Sequence, residues 1–194
     1  MITMLVGMLI FFAMHSVAIV APGFRDARIA AWGAGRWKLL YSLVSLVGFV
    51  LMIRGYSMLR FEPQLLYVPP AGLRHLAALL MLPVFSLLLA TYLPGRIKRL
   101  AKHPMLLAVK LWALSHLLAN GMLADVLLFG GFLVWAVLDR ISLKRRAVPA
   151  PASAPAAASG GIVNDAIVVV GGLVLYVVFV KVVHEWLFGV APFG

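Results

Sequence analysis

Six apolar runs, most of them long enough to cross a bilayer, constrain this chain more than any other feature. A spanning helix needs roughly 20 mainly apolar residues. The runs are Ile2–Ala21, about Leu39–Met58, about His75–Leu93, about Met105–Asn120, about Met122–Leu138 and about Ile162–Phe188. Hydrocarbon offers no water to backbone N–H and C=O groups, so each run must satisfy them internally as a helix. The pattern predicts an all-α fold: a polytopic transmembrane bundle of about six spans. No basic segment precedes the first run and no A-x-A-like cleavage site follows it, so it is read as a retained span. The fourth and fifth runs are short and joined by Asn120-Gly121, a tight-turn dipeptide, which predicts a helical hairpin. Phe61–Pro70 is too short and Pro-rich to span and suits the interface, as Tyr67 would. Pro149–Gly161 reads PAPASAPAAASGG, a flexible linker by composition. The organisation expected is a five-helix membrane core over 1–148, a linker over 149–161 and a sixth transmembrane helix over 162–194. The Gly171–Gly172 pair in the last run predicts close helix packing.

Composition excludes the soluble alternatives. Of 194 residues, 64% are apolar and 12% charged, against about 45–50% and about 25% in soluble domains. A soluble chain of this length would still expose roughly 30% of its unfolded area, too much to hide these side chains. A soluble enzyme, a disordered chain and a DNA-binding domain are thereby excluded.

The net charge of +11 is explained by its distribution. Arg25, Arg28, Arg36 and Lys38 follow the first run, Arg96, Lys98, Arg99 and Lys102 the third, and Arg140, Lys144, Arg145 and Arg146 the fifth. The opposite ends carry Arg54, Arg60 and Arg74. Twelve basic residues on one side against three place both termini outside the cytoplasm. The charge then serves topology and attraction to anionic lipid, and nucleic acid is not a partner. With no cysteine, disulfides, thiolate-held clusters and covalent c-type haem are excluded.

Ionisable groups inside spans are costly and point to function. His15 lies within the first run, with Phe12, Phe11, Met8 and Met4 behind it along one helical face, a soft apolar stripe suited to a flat macrocycle. His116 lies in the fourth run, where Trp112, His116 and Asn120 follow at i, i+4 and i+8, so that Asn120 could orient the imidazole. His103 precedes Pro104 at the start of that run, and 13 residues, about 220° of helix, separate it from His116. The two therefore cannot ligate one ion from a straight helix. Each of these histidines also has a plain structural reading, as a packed, capping or interhelical residue. His75 and His184 sit at span ends and read as interfacial. Lys110, about two turns into the fourth run, either snorkels or meets a cofactor carboxylate. Phosphate loops, H-E-x-x-H and G-x-S-x-G are absent from the sequence.

Several stretches together resemble the NnrU family of membrane proteins: Phe12–Ser16 (FAMHS), Gly55–Tyr56, Lys102–Leu106 (KHPML), Leu111–Gly121 (LWALSHLLANG) and Leu127–Phe132 (LLFGGF). The resemblance spans roughly residues 1–140. It implies a role beside nitrite and nitric oxide reduction, and a relation to 15-cis-zeta-carotene isomerase, a membrane enzyme with non-covalent haem b on histidines. On that likeness His15 and His116 are the implied iron ligands. Arg25, Arg28 and Lys110 become candidates for the propionates, and Trp112 and Asn120 belong to the cofactor surroundings. The isomerase has a Cys three residues before its second His, whereas this chain has Ala113, so a thiolate cannot take part in a ligand exchange here.

The first function expected is therefore a haem b membrane protein that transfers electrons to a membrane redox partner, binds nitric oxide, or isomerises a lipophilic polyene. A second resemblance, of Lys102–Met105 and the following hairpin to isoprenylcysteine methyltransferases and sterol reductases, implies instead an enzyme using His103 at the cytoplasmic face. The Glu-rich segment of those enzymes is replaced here by Ser142–Arg146 (SLKRR). The third reading is a non-catalytic membrane scaffold.

Overall fold

The computed structural model describes residues 1–146 and 161–192. Its helices are α1 Ile2–Val20, α2 Pro22–Trp32, α3 Ala34–Leu59, α4 Gly72–Tyr92, α5 Arg96–Ala101, α6 Pro104–Ala119, α7 Leu123–Arg145 and α8 Ile162–Val178. α8 continues through a π-helical turn, Phe179–Val183, into α9, His184–Phe188. α1, α3, α4, α7 and the continuous Ile162–Phe188 stretch are long and apolar enough to cross a membrane. α6 is apolar with 16 residues, about 24 Å at 1.5 Å per residue, short of the roughly 30 Å hydrocarbon core. The protein is an all-α, multi-pass integral membrane protein, as its apolar runs predict.

The boundaries depart from the apolar runs in an instructive way. α3 begins at Ala34, several residues before Leu39, so that Arg36 and Lys38 sit in its first two turns. α7 continues past Leu138 to Arg145 and carries Asp139, Arg140 and Lys144. Hydropathy registers the part of a helix that lies in hydrocarbon, while the backbone stays helical through the headgroup layer. The basic stretch after the first span, expected as a loop, is the helix α2, with Pro22 at its first turn where a missing N–H costs nothing. Gly33, at φ 82°, breaks α2 from α3. Lys102, at φ 59°, is the one non-glycine residue with positive φ among the described residues, and it separates α5 from α6. Residues 149–160 of the expected linker lie outside the described residues, and Gly161 caps α8.

The described residues fall into two compact units, one from Met1–Val68 with Asn120–Arg145, the other from Pro69–Ala119 with Arg146 onward. In the first, α1 packs along α3 and more lightly on α7. Ser45, Gly48, Met52 and Gly55 share a face of α3 by their three- and four-residue steps. A Cβ on Gly48 would lie 2.7 Å from the Phe11 backbone N, and one on Gly7 or Gly55 would collide with the Met52 or Met4 backbone. Met4 and Met52 are buried in this seam. Lipid tails are as apolar as leucine, so such contact, rather than a hydrophobic drive, holds the helices together.

In the second unit α4 packs on both α6 and α8. Val84, Leu87 and Ala108 form a buried cluster with Leu111 and Trp112 beside it. Gly172 lets α8 close on Ser86 of α4, the role expected of the Gly171–Gly172 pair. One turn on, the Tyr176 hydroxyl donates to the Ala78 carbonyl at 3.3 Å. The final span is thus built into a unit as a partner of α4. Within its own unit α6 packs on α4, and within its own unit α7 packs on α1.

Gly55→Leu and Gly7→Leu are each expected to destabilise the first unit by about 1–3 kcal/mol or more through overpacking. Gly130, on α7, faces open space, so Gly130→Ala is expected to be neutral or stabilising by about 0.5–1 kcal/mol. Thermal unfolding in detergent, followed by circular dichroism, distinguishes the two classes.

Candidate functional site

His15 projects from α1 in the first unit. Its Nδ1 lies 2.8 Å from the Phe11 carbonyl. A carbonyl oxygen only accepts, so Nδ1 carries the proton and the basic lone pair sits on Nε2. The ring stacks on Phe11 at 3.9 Å between centroids and stands edge-on to Trp135 at 5.7 Å, with Tyr41 at 5.0 Å. Asp139 is within electrostatic reach of the imidazole. The buried Trp135 Nε1 of this unit has no hydrogen-bond partner, and the buried Ser45 hydroxyl lies beside Tyr41. Burial without a partner costs a polar group free energy.

The stripe behind His15 is filled by the protein's own side chains. Met4 is wholly buried. Phe11 covers the imidazole face, and Phe12 stands against Phe132 and Trp135. The terminal methyl of Met8 reaches α7 beside Gly131. The expected macrocycle surface along α1 is therefore packing, and the chemistry near His15 rests on Nε2, Tyr41, Trp135 and Ser45.

His116 repeats the local geometry on α6 of the second unit. Its Nδ1 donates to the Trp112 carbonyl at 2.8 Å, and the two rings lie 5.4 Å apart. The i−4 carbonyl thus fixes the tautomer with the proton on Nδ1. Trp112 also packs against the Val84–Leu87–Ala108 cluster, which holds the helix face in place. The carbonyl of Asn120, just past the end of α6, accepts the Tyr67 hydroxyl at 2.7 Å. His184 has a related anchor, Nδ1 donating to the Val190 carbonyl at 2.7 Å beside Phe179 and Phe188. Backbone anchoring of Nδ1 is therefore shared by more histidines than the two that the sequence singles out.

His103 precedes α6, its backbone N–H donating to Ala101 and its carbonyl accepting from Leu107. Lys110 is half-buried on α6. Arg25 pairs with Asp26 at 2.8 Å, with both side chains substantially exposed, so the pair contributes little to stability. The Arg28 guanidinium lies over Phe24 and Trp32, 5.0 and 5.2 Å from the ring centres. Both arginines belong to an exposed helix with aromatic and basic side chains, the composition of a segment lying in the headgroup layer. His15, Arg25, Arg28 and Asn120 belong to the first unit; His103, Lys110, Trp112 and His116 belong to the second. Among the described residues no cluster of three His, Asp or Glu side chains is placed to cage a bare metal ion.

Sequence reasoning missed Asp125. It is 4% exposed on the first turn of α7. One carboxylate oxygen accepts the Tyr56 hydroxyl at 2.5 Å and the other accepts the Met122 backbone N–H at 3.2 Å. Asp125 therefore caps α7 and ties it to α3. The Gly55–Tyr56 pair gains a physical meaning here: Gly55 admits α1 to α3, and Tyr56 reaches α7. A lone carboxylate three residues into an apolar run was the available signal. Around it, Leu66 and Tyr67 N–H groups donate to the Gly121 carbonyl and Leu123 donates to Gln64. The Phe61–Pro70 segment is thereby pinned to the start of α7.

Tyr56→Phe is expected to cost about 1–3 kcal/mol, since a buried acceptor loses its side-chain donor. In a double-mutant cycle with Asp125→Asn the two losses are expected to be strongly non-additive. Thermal unfolding of the four proteins in detergent measures the coupling.

Comparison with known proteins gives one positive result. The family described as NnrU protein matches residues 3–192, which extends the likeness beyond residue 140 through the last span. No curated protein and no solved structure matches the chain. The match covers nearly the whole sequence, and the chain belongs to the NnrU family.

Proposed function

We propose that this NnrU-family membrane protein binds non-covalent haem b, with His15 and His116 as the candidate iron ligands, and serves nitric oxide metabolism or the isomerisation of a lipophilic polyene. The observation that carries the reading is the anchoring of His15. Its Nδ1–H is held by the Phe11 carbonyl, so Nε2 presents its lone pair in a half-buried, membrane-embedded setting. Iron-ligating histidines are commonly fixed in this way by a carbonyl on the other ring nitrogen. His116 has the same anchor on Trp112.

Two further observations support a macrocycle over a bare ion. A porphyrin supplies four donors itself, so one or two histidines suffice where no three-residue cluster exists among the described residues. The unpartnered Trp135 N–H lies on α7, one of the two helices that flank His15, and a buried polar ligand would satisfy it. The bound group would supply redox or gas-binding chemistry. The chain's share is axial ligation, exclusion of water and donation of this hydrogen bond. Tyr41 and Asp139 would set the electrostatic field at the ligand. Arg25, Arg28 and Lys110 stay the candidates for the propionates, Arg25 and Arg28 on the exposed α2 and Lys110 half-buried on α6. The excess of basic residues at one set of helix ends supports a topology with both termini outside the cytoplasm, in a bacterial inner membrane.

A second reading rests on Lys102. Its positive φ places strained backbone beside His103 in a basic segment, and strain gathers at functional sites. It assigns the chemistry to His103 in a methyltransferase-like or reductase-like enzyme.

The test is the visible spectrum of the detergent-purified protein from haem-replete cells, oxidised and dithionite-reduced. The wild type is expected to show a Soret band that shifts on reduction. His15→Ala and His116→Ala lose or alter it, and His103→Ala retains it. A colourless wild type overturns the haem reading. Loss of function in His103→Ala alone would move the chemistry to that residue, and indifference to all three would leave a scaffold.

A further inference from the structure

The second unit holds a cleft of about 320 Å³ between α4 and α8, lined by Leu82, Pro83, Ser86, Leu87, Val169 and Leu173 and closed at one end by Ile97 of α5. No histidine lines it, so it is distinct from the residues proposed to hold haem. We propose that this cleft, with the basic helix α5 at its mouth, is a binding site for an acidic diacyl phospholipid, one acyl chain lying in the cleft and the phosphate meeting α5.

The wall of the cleft is apolar, which by itself selects nothing inside a bilayer, because acyl chains are equally apolar. An unfilled gap would forfeit dispersion contacts along its lining, so a flexible chain enters it. Selection must come from the end where water begins. There Asp165 of α8 accepts the backbone N–H groups of Arg96 and Ile97 at 3.1 and 3.2 Å. One turn of contact thus locks α5 across the start of α8. Asn164 adds a bond to the Pro94 carbonyl at 2.8 Å. Gly95 is required at this join, since a Cβ there would collide with the Asp165 carboxylate.

This arrangement turns Ile97 into the cleft, while Arg96 and Arg99 of the same short helix are exposed. The carboxylate nearest the mouth, Asp165, is engaged with the backbone. Lys98 is turned away, its Nζ donating to the Thr91 carbonyl at 2.7 Å. The three cations of α5 outnumber the Asp165 carboxylate, so the net charge at this end of the cleft is positive. Leu173 lies eight residues beyond Asp165, about 12 Å along α8, so the cleft runs from the α5 level inward beside the Ser86–Gly172 contact. A net positive end and an apolar cleft of about 320 Å³ running along α8 away from it match the head and one chain of an anionic lipid.

Native mass spectrometry of the full chain, released from detergent carrying equimolar phosphatidylglycerol and phosphatidylcholine, tests the assignment. The wild type is expected to retain phosphatidylglycerol preferentially. Arg96→Gln with Arg99→Gln is expected to reduce that preference about 10-fold or more, each basic residue near a membrane surface being worth about 5-fold. Leu173→Trp, which plugs the slot, is expected to abolish retention of either lipid, while unchanged circular dichroism and melting confirm the fold. Inorganic phosphate at millimolar concentration leaves retention intact if the acyl chain is required. Equal retention of the two lipids by the wild type overturns the proposal, as does indifference to either variant. Displacement by phosphate alone would reduce the site to a simple anion contact and also overturn it. None of these outcomes depends on haem.

Discussion

The absence of water in the hydrocarbon layer governs this molecule. Every backbone group inside the membrane needs a partner within its own segment, which leaves the helix as the only economical form here. Helices already surrounded by an apolar solvent gain little from hiding apolar side chains. They gain instead from close contact, and close contact requires that something small face the partner. In the first unit Gly7, Gly48 and Gly55 serve this purpose; in the second, Gly172 against Ser86 does. The exposure of so many large hydrophobic side chains, Leu9, Leu39 and Val170 among them, follows from the same cause, since lipid is their natural solvent.

Polar groups in this setting have few options, and the chain uses each group for a specific purpose. Asp125 caps α7 and ties it to Tyr56. Asp165 binds α5 to the start of α8. His15 and His116 spend one ring nitrogen on the preceding turn of their own helix, which costs no tertiary partner and leaves the other nitrogen basic. That economy makes a histidine on an apolar helix a ready ligand. It also explains why His184, with no functional signal in the sequence, has a similar anchor. Local anchoring is necessary for ligation but does not by itself select the ligand.

The surroundings of the two histidines differ. His15 has an aromatic and hydroxylated neighbourhood from α3 and α7, with Tyr41, Trp135 and the buried Ser45. The rings that precede it on α1 are consumed by packing, so the apolar stripe that first suggests a macrocycle belongs to the core. His116 is stiffened by Trp112, which is shared with the α4–α6 cluster. Legibility followed the range of each interaction. The stripe and the histidines are local patterns, readable at helical spacing. The fate of the stripe depends on Phe132 and Trp135, which lie more than a hundred residues away. Asp125 was visible as a carboxylate in an apolar run, but its partner Tyr56 is 69 residues distant, and no periodicity links them.

The sequence alone determined that this chain is an all-α membrane protein with about six apolar helices, where they lie, and which histidines sit inside them. Those properties depend on transfer free energy and helical period, which are sums over neighbouring residues. It also carried the family, through motifs spread along most of its length. Only the tertiary structure decided the pairing of α1 with α3 and of α4 with α6 and α8, the division into two units, and the use of α2 and α5 as helices at the ends of spans. These follow from shape: a glycine's value is realised only when a particular backbone lies against it, and a carboxylate's only when distant N–H and O–H groups converge on it. Such complementarity between remote segments leaves no mark on local composition.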